Sequence, residues 1–345
     1  MNLMKKRILS LDIFRGLTVA LMLLVNNPGA WTSLFPALSH SPWDGCTLTD
    51  LVFPFFLFCV GASMVFSLAR FDRLDSKALL KIFRRGAGIF LVGLFLNACY
   101  GNLSHLRIFG VLQRIALCYI AASLTVLSLR SPVKILAAIA VLSLSHVVLL
   151  LVFAGPEGAF TLEGCLARRL DIALVGESHV YHGYRFADGT PAPFDPEGLL
   201  GVLTGTCTAL AGYLAGTVLR SDEEPSRKIA RLYTWAALSL VLSQILGFRI
   251  PINKPLWSVS YVFYTAGWAA FVLAFITWMT DVKGWVRPFT PLRAFGMNPL
   301  AIYTLAELLV ILIGGVSGWI DPVLFLLFHL ALAMILYKRN IVIKL

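Results

Sequence analysis

Residues 39–59 read SHSPWDGCTLTDLVFPFFLFC. The first half is polar and holds His40, Asp44 and Asp50 among Ser, Pro, Gly and Thr; the second half is an unbroken apolar run. A loop of that kind feeding an apolar run puts reactive side chains at the mouth of a membrane-crossing helix, because about 20 apolar residues suffice to span a bilayer. Outward from this stretch, apolar windows of spanning length recur at 8–27, 49–69, 79–98, 107–128, 133–154, 198–219, 229–247, 257–280, 294–314 and 319–337. A backbone in lipid must satisfy its own hydrogen bonds, so these windows predict an all-α membrane protein, a polytopic bundle of about ten transmembrane helices.

The composition points the same way. The 345 residues are 58% hydrophobic and 14% charged, where a soluble domain carries about 25% charge. Too few polar residues remain to cover a soluble surface, and the whole chain, 1–345, is expected to be one transmembrane domain in the lipid bilayer. The apolar run after MNLMKKR contains Asp12 and Arg15 and no small-residue cleavage signal, so it is expected to stay as the first helix rather than leave as a signal peptide.

The net charge of +11 raises nucleic acid as a partner, but no basic face interleaves with aromatics, and no nucleic acid is expected. Lys and Arg gather instead in alternate connections, at Lys5–Arg7, Arg70–Arg85, Arg220–Arg231 and Lys283–Arg293, while the intervening segments hold few. The positive-inside rule then puts both termini in the cytoplasm and the 28–48 and 155–197 loops outside. Six cysteines show no CxxC and no metal spacing. A disulfide between Cys46 and Cys165 stays open at this level. His179 and His182 would suit a metal only on a helix, against which Gly183 and Tyr184 argue, and no metal is expected.

Several polar residues need a reason. Asp50 follows His40 within ten residues, and a carboxylate can orient an imidazole as a general base. His40 and Asp50 are therefore the catalytic candidates. Asp12 and Arg15 share a helix face, either as an ion pair or with Arg15 turned to an anionic ligand. Gln113 and Arg114 lie inside a window where arginine is costly; Arg114 either pairs with Asp12 or Glu307 or binds a phosphate or carbonyl. Asn298, in FGMNP at an irregular helix start, is free to bond a ligand. Asn26 either caps the first helix or reaches a substrate. Trp43 is an interface anchor or a stacking platform. FRIPINKP at 248–255 is a cationic loop carrying Lys254, and Trp257, Tyr261, Tyr264 and Trp268 repeat on one helix face, for packing or as a sugar platform. FDPEG at 194–198 reads as a helix start, with Asp195 the cap and Glu197 a first-turn acid.

In this order RILSLDIFRGLTVALMLLVNNPG, LSHSPWDGCTLTDLVFPFFLF, GVLQRIALCY, FDPEGLL, PINKPLWSVSYVFYTAGW and GMNPLAIYTLAEL resemble the heparan-α-glucosaminide N-acetyltransferase family in its short bacterial form. The resemblance implies transfer of acetyl from cytosolic acetyl-CoA, a co-substrate, to the amine of an amino sugar or glycan acceptor across the membrane. It also implies a homodimer and a bacterial inner (plasma) membrane. The family's active-site histidine and the aspartate after it fall on His40 and Asp50. On this reading Arg15, Gln113, Arg114 and Asn298 meet the donor, and Asn26, Trp43, Asp44, Lys254 and Trp257 meet the acceptor. Asp44 stands where the lysosomal member has asparagine, which adds charge at the acceptor mouth. The rival readings are a membrane transporter of a small glycan or acyl compound, with absence of detectable repeats against it, and an O-acyltransferase on a surface glycan.

Overall fold

The computed structural model describes residues 8–27, 36–101, 103–313 and 321–343. The basic start Lys5–Arg7, the Pro28–Gly29 turn and the junction of the last two windows at 314–320 lie outside the described residues.

Among the described residues the chain forms twelve α-helices: α1 Leu9–Asn26, α2 Leu48–Ser67, α3 Ser76–Tyr100, α4 Val111–Leu129, α5 Pro132–Val152, α6 Leu166–Val175, α7 Gly201–Arg220, α8 Pro225–Gly247, α9 Val259–Thr277, α10 Thr290–Met297, α11 Pro299–Leu312 and α12 Pro322–Lys338. A two-stranded antiparallel ribbon pairs Tyr184 with Ala192 and Arg185 with Pro191. Seven helices among the described residues are long and apolar enough to cross a membrane: α1, α2, α4, α5, α7, α8 and α9 with its π-helical extension to Val282. The other three apolar windows have identifiable departures. In α3, Lys77, Lys81, Arg84 and Arg85 dilute the apolar run. The 294–314 window is broken at Asn298–Pro299, where α10 and α11 bend by 72°, and α12 has only 17 residues. The bend has a local cause, since proline cannot donate to the preceding turn and removes its neighbour from helical geometry.

The centre of the bundle is α2 against α7. A Cβ on Gly61 would overlap the Ala209 carbonyl, and one on Gly212 would overlap that of Phe58. These helices touch backbone to backbone, as membrane helices do where small residues face each other. α9 packs on the same pair and α1 on α2 and α9, with Phe14, Phe55, Phe58 and Ala270 in one buried cluster. At the His40 end a separate layer closes the bundle: α6, the ribbon and the 153–165 connection bury Cys165, Ala192, Phe194 and Leu200 together with Leu150 and Leu256. The helix start expected at Asp195 is absent. Residues 196–197 form a turn, in which Asp195 Oδ1 accepts from the Glu197 amide (3.0 Å), and α7 begins at Gly201.

Candidate active site

α2 begins at an N-terminal box. Thr47 is the N-cap, and Asp50, three residues on, reaches back to accept from the Thr47 amide (3.0 Å). The same oxygen, Oδ2, accepts from the Ser41 amide (3.0 Å). The other, Oδ1, lies 2.6 Å from His40 Nδ1. With Oδ2 occupied by two amides, the carboxylate takes the Nδ1 proton at Oδ1 and leaves Nε2 of His40 as the free lone pair. Asp50 is buried, with 1% of its side chain exposed, whereas 52% of His40 is exposed. One helix cap thus also aims an imidazole.

A second device fixes Asp50. Pro54 lies inside α2 and has no N–H, so the Asp50 carbonyl four residues earlier loses its helical donor. The buried Tyr261 hydroxyl of α9 donates to that carbonyl instead, at 2.6 Å.

Lys254 arrives from far along the chain. Residues 251–258 fold around buried Asn253, whose Oδ1 accepts from the Leu256 amide (2.7 Å) and whose N–H donates to Ser258 Oγ (3.0 Å). This loop docks on residues 44–45. Asn253 Nδ2 donates to Asp44 Oδ1 (3.0 Å), and the Gly45 amide to the Ile252 carbonyl (2.7 Å). The docking puts Lys254 Nζ 3.0 Å from His40 Nδ1 and 3.3 Å from Asp50 Oδ1.

His40, Lys254, Glu197, Thr49 and Asn26 line one cavity of about 130 Å³. Its wall continues between α1, α2, α4 and α11 through Val25, Val52, Phe56, Ile115 and Tyr303. It is a polar mouth on an apolar shaft.

The remaining candidates have other surroundings. Trp43 donates from Nε1 to the Phe160 carbonyl (2.8 Å) and stands edge-on to Phe194, fastening the layer that closes the His40 end. Trp257 is 1% exposed, in left-handed backbone (φ 51°), and is bonded to Thr208 Oγ1, so the platform reading meets a core residue. Arg15 bonds Asp12, the Gly296 carbonyl and Ser63. Arg114 donates to the Gly198 carbonyl (2.6 Å) over the Trp257 ring. Glu307, offered as a partner for Arg114, instead accepts from the Tyr100 hydroxyl. Gln113 is buried with Nε2 unpartnered. Asn298 uses both ends of its amide on Ile341 and Ile343 of the C-terminal segment. Cys46 and Cys165 are free thiols. Burial and the nearby Asp50 carboxylate push Cys46 up to about 12, so beside the site it stays a thiol rather than a nucleophile.

Two residues stand out that the sequence did not single out. Arg107 forks onto Asp195, Nε to Oδ2 (2.8 Å) and Nη2 to Oδ1 (2.7 Å), and Nη2 also reaches Glu197 Oε2 (2.6 Å). Asp171, on α6, accepts from the Leu199 amide (2.8 Å) with its other oxygen buried and unpartnered. Together they clamp the 194–201 turn that carries Glu197 into the cavity. The only local signal was the acid pair of FDPEG.

Burial, with the Asp195 charge adding to it, pushes the Asp171 carboxyl up from 3.8 to about 7. The folded state then keeps a proton that the unfolded chain loses above its own lower value. Stability is full below that lower value, falls as pH rises through the window, and levels off above about 7. Asp171→Asn keeps an acceptor for Leu199 without the charge. It is expected to flatten this decline and raise the thermal midpoint at neutral pH, which unfolding scans of the detergent-solubilised protein across acid to neutral pH will read.

Comparison with known proteins adds to this geometry. Residues 7–160 match the family model described as heparan-alpha-glucosaminide N-acetyltransferase, catalytic. Heparan-alpha-glucosaminide N-acetyltransferase of Mus musculus is 32% identical, over 88% of this chain and 54% of the relative. The Homo sapiens protein of the same name is 32% identical, over 86% of this chain and 52% of the relative. The chain spans about half the length of the curated relatives it matches.

Proposed function

With residues 7–160 belonging to the heparan-alpha-glucosaminide N-acetyltransferase catalytic family, we propose that this multi-pass membrane protein moves an acetyl group from acetyl-CoA to the amine of a glucosamine-like sugar. The observation that carries the reading is the His40–Asp50 pair at the polar mouth of the shaft. Asp50 fixes Nδ1–H and offsets the positive charge that the ring gains during reaction, while Nε2 serves as the general base toward the amine. The apolar shaft suits the slender thioester arm of the donor, which then enters from the end opposite His40. Arg84 and Arg85 of α3 would meet its phosphates there, since Arg15 already bonds Asp12, Ser63 and the Gly296 carbonyl. Lys254 at the mouth faces the thioester carbonyl and steadies its developing oxyanion. The basic segments support a cytoplasmic donor side and cytoplasmic termini, with a bacterial inner membrane as the proposed setting.

Purified protein given labelled acetyl-CoA with glucosamine, galactosamine or glucose tests this. N-acetylated amino sugar, and no product from glucose, is the expected result. Acetylated glucose would point to an O-acyltransferase. Sugar accumulation in vesicles with no acetyl donor would point to a transporter.

A further inference from the structure

We propose that Glu197 receives the acceptor amine as its ammonium ion and so selects amines over hydroxyls. The proposal rests on the acetyl-transfer reading of this cavity and deepens it by naming the charged form in which the acceptor binds.

The charges at the mouth do not balance. Asp50 faces Lys254 at 3.3 Å, one negative against one positive. The fork of Arg107 is filled by Asp195, whose side chain is fully buried. Glu197 is then the surplus negative charge. Its Oε2 takes the second N–H of Arg107 Nη2, the first being given to Asp195, and Oε1 has no hydrogen bond among the described residues. Glu197 lines the same cavity as His40. Beside it in the lining, buried Thr49 has a hydroxyl with no hydrogen-bond partner. Two carboxylates on one guanidinium, drawn this far from water, leave one charge uncompensated until a further cation meets it, and an ammonium with several N–H donors fits both the carboxylate and the Thr49 hydroxyl.

The chemistry then follows in order. The bound ammonium gives one proton to Nε2 of His40. The freed amine forms the new C–N bond to the thioester carbonyl carbon, the C–S bond breaks, and the second proton lost by nitrogen goes to the departing thiolate. The products are the amide, the free thiol of CoA and one proton on His40.

Direct binding of glucosamine and N-acetylglucosamine to detergent-purified wild type and Glu197→Gln, by calorimetry, tests the proposal without requiring turnover. The expected result is glucosamine affinity lowered by about tenfold or more, from loss of a charged hydrogen bond, with N-acetylglucosamine changed by less than about twofold. Equal weakening of both sugars would reduce Glu197 to a structural partner of Arg107 and overturn the proposal, as would no change in either. Wild type carries an independent readout should the variant fail to fold. Its preference for glucosamine over glucose must vanish once the pH passes the amine pKa, and a preference that persists, or none at neutral pH, overturns the proposal. Failure of labelled acetyl transfer would sink the proposed function while leaving this charge selectivity measurable.

Discussion

His40→Ala is expected to lower acetyl transfer by roughly 10²–10⁴-fold, the range for loss of a positioned acid–base group. The protein is expected to stay folded. His40 is half-exposed on a loop, and Asp50 keeps the Ser41 and Thr47 amides and the Lys254 ammonium when the ring is gone. Its charge is therefore not stranded, and the rate loss is chemical rather than a consequence of unfolding. Single-turnover transfer with labelled acetyl-CoA, beside a thermal unfolding scan of the same sample, reads both halves of this expectation. A variant with wild-type rates removes His40 from the chemistry.

Arg107→Ala carries the largest expected cost in stability. Its fork holds Asp195, with no side-chain exposure, and Glu197, with 10%. Removing one side of a buried charge cluster costs about 3–5 kcal/mol, because the carboxylates are left uncompensated in a low-dielectric site. Two acids and no cation would then share the 194–201 turn. Arg107→Lys is expected to fall between, since an ammonium cannot fill both carboxylate oxygens of Asp195 with the planar fork it replaces. Thermal midpoints of the three proteins should rank wild type, then Lys, then Ala. An Ala variant as stable as wild type would show that the triad contributes nothing to holding the turn.

The His40–Asp50 pair was legible because both residues lie in one short stretch and their chemistry is local. The Thr47–Asp50 cap and the Pro54 gap belong to the same stretch, four and fewer residues apart, and the gap foretells a carbonyl in need of a donor. Which donor fills it could not be read, since Tyr261 lies 211 residues away. Lys254 was noticed as a loop cation, but its place beside His40 depends on Asn253 docking on Asp44. Local patterning was half right at Asp195, which accepts from the Glu197 amide as a cap does but at a turn rather than a helix start, with a remote guanidinium on the same carboxylate. At Trp257 two readings stayed open, since helical spacing of aromatics cannot distinguish a platform from a core, and burial favours packing. Apolar windows located the helices, and the bend at Asn298–Pro299, the charged start of α3 and the 17-residue length of α12 explain why, among the described residues, seven rather than ten qualify as full spans.

The central proposal is that acetyl passes from a donor on the basic side to an amine on the His40 side. Vesicles reconstituted in one orientation, with acetyl-CoA confined to the basic side and glucosamine to the other, test it most directly. The account predicts N-acetylglucosamine on the glucosamine side from wild type and almost none from His40→Ala. Product that forms only when both substrates share one compartment, or forms equally in the variant, would contradict it.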